Sequence, residues 1–143
     1  MKINFRSSCP LASTLDIIGD KWSLLIIRDM LIQQKKTFKD FSDSAERIAP
    51  GILSARLKLL EDNELITKQK LPNNQKENIY LLTDKGIDLT PVIMEIILWS
   101  DKNLRNQNAN MYSLANAGFD KDKFEVIKSV QNNYREIVRN ILG

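Results

Sequence analysis

Histidine is absent from this chain of 143 residues, and cysteine occurs once, as Cys9. The first absence removes the commonest general base near neutral pH and the commonest transition-metal ligand. The second rules out a disulfide within the chain and any thiolate cluster around a metal. Glycine is scarce, five residues in all, and none falls in a phosphate-cradling loop or a nucleophile elbow. No pair of carboxylates stands in a frame suited to acid–base chemistry. Catalytic residues, metal ligands and cofactors are therefore expected to be none, and the function is expected not to be enzymatic. Long apolar runs are missing too: no segment approaches the ~18 consecutive apolar residues that span a bilayer. The opening MKINFRSSCPLAS lacks the apolar core of a secretory leader. A soluble, cytoplasmic protein without membrane contact is the expectation.

What is present suits a globular domain. Hydrophobic residues make up 43% and charged residues 27%, enough to build a core and too apolar for disorder. A domain of this size gains from a partner subunit. The net charge is only +3, but the cations are grouped. Lys35, Lys36 and Lys39 form one set and Arg47, Arg56 and Lys58 a second. Lys68, Lys70 and Lys76 form a third, in a stretch from Leu65 that holds no acid. Isolated lysines usually mark solvated faces, so the elements that carry them decide their meaning.

Apolar spacing predicts a helix over PLASTLDII, with Pro10 in its first turn and Gly19 at its end. DKWSLLIIRDMLI is long enough for a buried helix rather than a strand. Thr37 and Asp40 have the spacing of a capping box and start a short helix reaching about Ser44. Ala49-Pro50-Gly51 leads into ILSARLKLLEDNELI, where Leu53, Leu57 and Leu60 make one apolar stripe and Ser54, Ala55 and Lys58 lie off it. Asn63 is expected to take the left-handed conformation that ends this helix. ITKQKL and NIYLL then read as strands around the longer loop 72–76. Thr83 caps a further helix carrying Ile93, Ile96, Ile97 and Trp99, in which Pro91 marks either a bend or the true start. Asp120 opens a last periodic helix with Phe124, Ile127, Val130, Tyr134 and Ile141 on its stripe. The segment between Leu104 and Gly118 has no clear pattern.

Two short helices joined by a tight connection, then a two-stranded ribbon, make a winged helix-turn-helix: mainly α, with a small β-hairpin and additional terminal helices. The second helix of the pair fits a groove ~12 Å wide while the ribbon reaches the neighbouring backbone.

CPLASTLDIIGDKWSLLIIRDMLI, TFKDF, LSARLKLLEDNELI and YLLTDKG, with Pro91 and Trp99, resemble in order and spacing the HxlR family of bacterial winged-helix regulators. The resemblance implies a homodimer that binds double-stranded DNA, with terminal helices building the interface. It also implies that some relatives sense electrophiles or oxidants through the N-terminal cysteine. Where the family has a hydroxyl residue at the start of the recognition helix this chain has Ala49, and its usual basic residue is here Gly51. The usual glycine after that helix is Glu64, so that the cap falls to Asn63.

On this frame the DNA-binding residues are expected to be Lys36, Thr37, Lys39, Gly51, Ser54, Ala55, Arg56, Lys58, Asn74 and Lys76. Serine bonds several base edges and the alanine methyl meets thymine, while wing and helix-terminal lysines suit phosphate. Arg56 has two readings, a phosphate contact or a clamp on an acid such as Glu46. Cys9 also has two. It is either a small structural side chain or a sensor, made thiolate-prone by a helix N-terminus and Arg6. As a sensor it leaves an electrophile or other small molecule as inducer. Trp22 and Trp99 either anchor core and interface or line a pocket. Leu11, Leu15, Trp99, Phe124, Ile127, Tyr134 and Ile141 are assigned to the dimer interface, the last helix packing on the first helix of the same or the partner subunit around Leu11 and Leu15. Residues 1–103 form the DNA-binding domain and 104–143 a helical extension for dimerisation. The competing class is a winged helix used only for protein contact, which requires a neutral recognition face.

Overall fold

The computed structural model describes residues 3–143. Its first helix, α1 (Pro10–Ile18), starts on the proline whose fixed φ suits that position and ends where the Gly19 N–H donates to the Leu15 carbonyl. The next, α2 (Ser23–Gln33), is the centre of the molecule, with Ile26, Ile27, Met30 and Leu31 all buried. Its N-terminus is capped from outside. The Asp20 carboxylate accepts the amides of Trp22 and Ser23 at 2.9 Å each and the Ser23 hydroxyl at 2.6 Å.

Helix α3 (Phe38–Ser42) follows the predicted capping box. Thr37 Oγ1 accepts from the Asp40 amide at 3.1 Å, and Asp40 accepts from the Thr37 amide at 3.1 Å. In α4 (Pro50–Asp62) the stripe Leu53, Leu57 and Leu60 faces the core. Its termination differs from the expectation. Asn63 keeps a negative φ of −97° and uses its side-chain N–H on the Leu59 carbonyl at 2.8 Å. Glu64 takes the left-handed conformation instead, at φ 63°. The residue at the family's glycine position thus adopts the glycine backbone despite its side chain.

Strands β1 (Ile66–Leu71) and β2 (Asn74–Leu82) pair antiparallel, from Ile66↔Leu82 to Lys70↔Asn78. The loop is shorter than predicted, because Pro72 and Asn73 make the turn and Leu71 pairs with Asn74. Regular pairing does begin at Asn78; residues 75–77 bulge between the last two pairs. Pro91 marks a true start. Thr83 caps the short α5 (Asp84–Ile87), and α6 (Thr90–Asn103) begins afresh with Pro91 in its first turn. The unpatterned segment contains one turn of helix, α7 (Leu114–Ala117), and α8 (Lys123–Leu142) starts later than expected because Asp122 is its cap.

One main core joins α2, α3, α4 and the hairpin, and Tyr134 of α8 enters it. A smaller cluster of Met94, Phe119 and Val126 ties α6 to α8. The Tyr134 hydroxyl accepts the Leu82 amide of β2 at 2.8 Å, and burial pushes this phenol's pKa up against the opposing pull of that bond. Within the chain α8 packs on α2 and α6, leaving Leu11 and Leu15 of α1 exposed. Phe124 lies off the buried stripe, which runs instead through Val126 and Tyr134.

Candidate nucleic-acid interface

Helix α4 presents two chemically distinct faces. Burial of Leu53, Leu57 and Leu60 turns Ser54, Ala55 and Lys58 to solvent, as the period of 3.6 requires. Its first turn is bare: the Ala49 side chain supplies no cap, and nothing lies within 4 Å of where a Cβ on Gly51 would stand. Lys58 is 67% exposed but already has an acid, Asp62, at 2.9 Å one turn on. Arg56 is half-buried and pairs with Asp20 at 3.5 Å. Glu46, the acid expected for it, belongs instead to Arg28, which donates two hydrogen bonds of 3.0 and 2.8 Å. Burial alone would raise the pKa of Asp20. The Ser23 hydroxyl, two backbone amides and the Arg56 charge outweigh it and hold the carboxyl below its ordinary range.

The wing lies next to this helix in the chain and is tied to the α2–α3 link. The Tyr80 amide of β2 donates to the Lys36 carbonyl at 2.7 Å. Lys68, Lys70, Asn74 and Lys76 are exposed along the hairpin, and Asn74 Oδ1 accepts the Lys76 amide at 3.2 Å. The capping box leaves few amides open at the start of α3. Asp40 already accepts the Lys36 and Thr37 amides at 3.1 Å, so an incoming phosphate meets a carboxylate there. Burial works against ionisation of Asp40, yet those bonds hold its pKa low. Lys39 is exposed and Lys36 half-buried at this corner.

The expected subunit face divides. Leu11 and Leu15 on α1, Trp99 on α6 and Phe124 on α8 are exposed, Trp99 by 59% and Phe124 by 70%. Ile127 and Ile141 are half-buried. Tyr134 is a core residue of its own chain, at 3% exposure, and presents no surface to a partner. Trp22 packs against the main core as an anchor. Val92 and Ile96 are exposed beside Trp99, with Pro91 and Glu95, on the outer face of α6. Their spacing of four and then three residues was the signal that could have found them. Cys9 is exposed at the N-cap of α1, while Arg6 is engaged by Asp16 at 2.5 Å. Among the described residues no cluster of His, Cys, Asp or Glu could hold a metal, and no helix is long and apolar enough to cross a membrane.

A short helix, a turn, a second helix with a polar outer face and an adjoining two-stranded ribbon define a winged helix-turn-helix regulator of transcription. The chain belongs to the HxlR-like helix-turn-helix family, which it matches over residues 17–108. It is 37% identical over 98 residues to the HTH-type transcriptional regulator YodB of Bacillus subtilis (strain 168), covering 68% of this chain and 87% of that one. The solved structure of quinone-bound YodB superposes with a TM-score of 0.55 at 35% identity, covering 66% of this chain and 99% of the other. The redox regulator HypR in its oxidised form gives a TM-score of 0.58 at 29% identity, over 66% and 97% of the two chains. Cys9 and α8 both lie outside the family match.

Proposed function

We propose that this protein is a sequence-specific DNA-binding regulator that acts as a homodimer in the cytoplasm. The observation that carries the reading is the exposed face of α4: Gly51, Ser54, Ala55 and Lys58 stand in solvent beside a hairpin with lysines at 68, 70 and 76. A serine and an alanine methyl read base edges, and lysines on the wing hold phosphate. Exposed apolar side chains supply the second subunit's surface. Leu11, Leu15, Trp99 and Phe124, with the half-buried Ile127 and Ile141, join two copies, and residues 104–143 serve that assembly. Two recognition helices then enter successive major grooves about 34 Å apart, so the operator is an imperfect palindrome.

Cys9 makes an electrophile or oxidant the signal. It is exposed at the start of the helix that carries Leu11 and Leu15, so an adduct there changes the surface on which subunits meet. The similar protein YodB has been solved with quinone bound. The test of the DNA reading starts from a duplex selected out of a random library on the wild-type protein. Replacing Lys58 and Lys76 by alanine should weaken its binding and flatten the salt dependence by about 0.9 for each phosphate that is no longer neutralised. An unchanged affinity and slope would mean that these faces do not meet DNA.

A further inference from the structure

Three non-glycine residues among those described have the left-handed backbone: Gln34, Arg47 and Glu64. Gln34 and Glu64 follow the C-terminal ends of α2 and α4, where that conformation releases the chain from a helix. Arg47 is different. It precedes a helix, two residues before the Ala49 cap of α4, in the turn between α3 and α4. Its long side chain carries the Cβ clash of this region without the local hydrogen bonding that helps Asn or Asp there.

The neighbours of Arg47 hold it in place. Glu46 takes the bidentate pair from Arg28 and a 3.0 Å bond from the Ser44 hydroxyl. Arg28 is itself anchored on buried Asp29 at 3.0 and 2.7 Å. On the other side Ile48 is 6% exposed in the main core, and the Arg47 amide donates to the Ser44 carbonyl at 3.0 Å. Pinned at both flanks, the backbone leaves the Arg47 side chain in solvent. Arginines 6, 28, 56, 105, 135 and 139 each pair with a carboxylate. Arg47 alone among the described arginines has no such partner.

We infer that Arg47 is a phosphate-contacting residue of the DNA interface, presented beside the recognition helix by a strained turn that the Arg28–Glu46 pair holds. This rests on the DNA reading above. A guanidinium is a planar fork of donors matched to phosphate oxygens, and an unpaired one loses no internal bond on meeting DNA. Strain is retained at a position when surrounding structure over-determines it. Here the surroundings are the Glu46 clamp and the Ile48 anchor, and the exposed cation is what the strain delivers.

Thermal stability reads the strain, and DNA affinity with its salt slope reads the charge. Arg47→Gly removes the Cβ clash and the cation together, whereas Arg47→Lys keeps both a side chain and a charge. With the selected duplex as probe, Arg47→Gly should melt a few degrees higher than wild type yet bind DNA less tightly. The expected loss at 0.15 M salt is roughly fivefold per phosphate, or roughly thirtyfold for both subunits of the dimer, with a salt slope flatter by about 0.9 per phosphate. Arg47→Lys should keep the wild-type slope. A glycine variant that is more stable and binds with unchanged affinity and slope overturns the phosphate role. A glycine variant that is less stable shows the arginine to be structural and overturns it as well. If the wild-type protein selects no duplex, the DNA reading itself falls, and this inference with it.

Discussion

Tyr134→Phe is the most direct probe of how the last helix is joined to the wing. The tyrosine ring is 3% exposed within the main core, and its hydroxyl is the acceptor for the Leu82 amide at 2.8 Å, 52 residues away in sequence. The substitution keeps the ring and its packing but leaves a buried N–H without an acceptor. An orphaned buried donor costs about 1–3 kcal/mol. At ~2.1 cal/mol/K of unfolding entropy per residue, a chain of this length loses ~3 °C of melting temperature per kcal/mol, so the fall should be roughly 3–10 °C. Removing the whole side chain in Tyr134→Ala adds a cavity and should cost about 3–5 kcal/mol. Urea denaturation of the three proteins gives both differences, and hydrogen exchange at the Leu82 amide reports the bond itself. A phenylalanine variant within about 0.3 kcal/mol of wild type, with the Leu82 amide still protected, would refute this account of the junction.

Three further outcomes are expected. Glu64→Gly supplies the residue that the left-handed φ of 63° favours and should stabilise the protein by about 0.5–1 kcal/mol in denaturant titration. Bidentate bonding to Arg28 holds the Glu46 carboxyl down at about 2, outweighing burial. Because the folded value lies below the unfolded one, that stabilisation is complete above the ordinary carboxyl value of 4.5 and disappears as pH falls toward 2. Acid unfolding of Glu46→Gln should accordingly lose part of the wild-type pH dependence between those limits. Treating the wild-type protein with a mild quinone should abolish binding to the selected duplex, while Cys9→Ser binds and ignores the reagent. An equal response from both would place the signal elsewhere.

Much of the fold was legible because its signals are local. Pro10, the Thr37–Asp40 capping box and the Leu53–Leu57–Leu60 stripe each act within one or two turns and each produced the expected element, whereas Thr83 caps only the short α5 and the helix of Ile93 and Trp99 begins afresh at Thr90. Differences arise where a side chain finds a partner that spacing does not reveal. Asn63 prefers the Leu59 carbonyl to a left-handed turn, and Asp40 takes the Lys36 amide in addition to the Thr37 amide of its capping box. Glu46 pairs with Arg28, 18 residues earlier, rather than with the nearer Arg56. The stripe of α8 was legible, but which of its members face inward depends on α2 and α6, so periodicity alone puts Tyr134 on a surface it does not reach. Left-handed Arg47 had no signature in composition or period at all.

The Lys58–Asp62 pair bears on how such a protein spends its time on a chromosome. Lys58 carries its own counter-ion, at 2.9 Å, on the helix that the proposed DNA reading assigns to the groove. Meeting a random phosphate only exchanges one anion for another, so the ammonium gains little from arbitrary sequence. It gains where a base edge or a well-placed phosphate fits better than the carboxylate does. A genome offers roughly 10⁶–10⁹ competing sites, and occupancy of an operator follows the ratio of its affinity to theirs, so a weakening at all of them counts as much as an equal strengthening at the operator. On the proposed DNA reading, an aspartate that looks like an obstacle to binding thereby shortens each false stop and leaves the protein free to search.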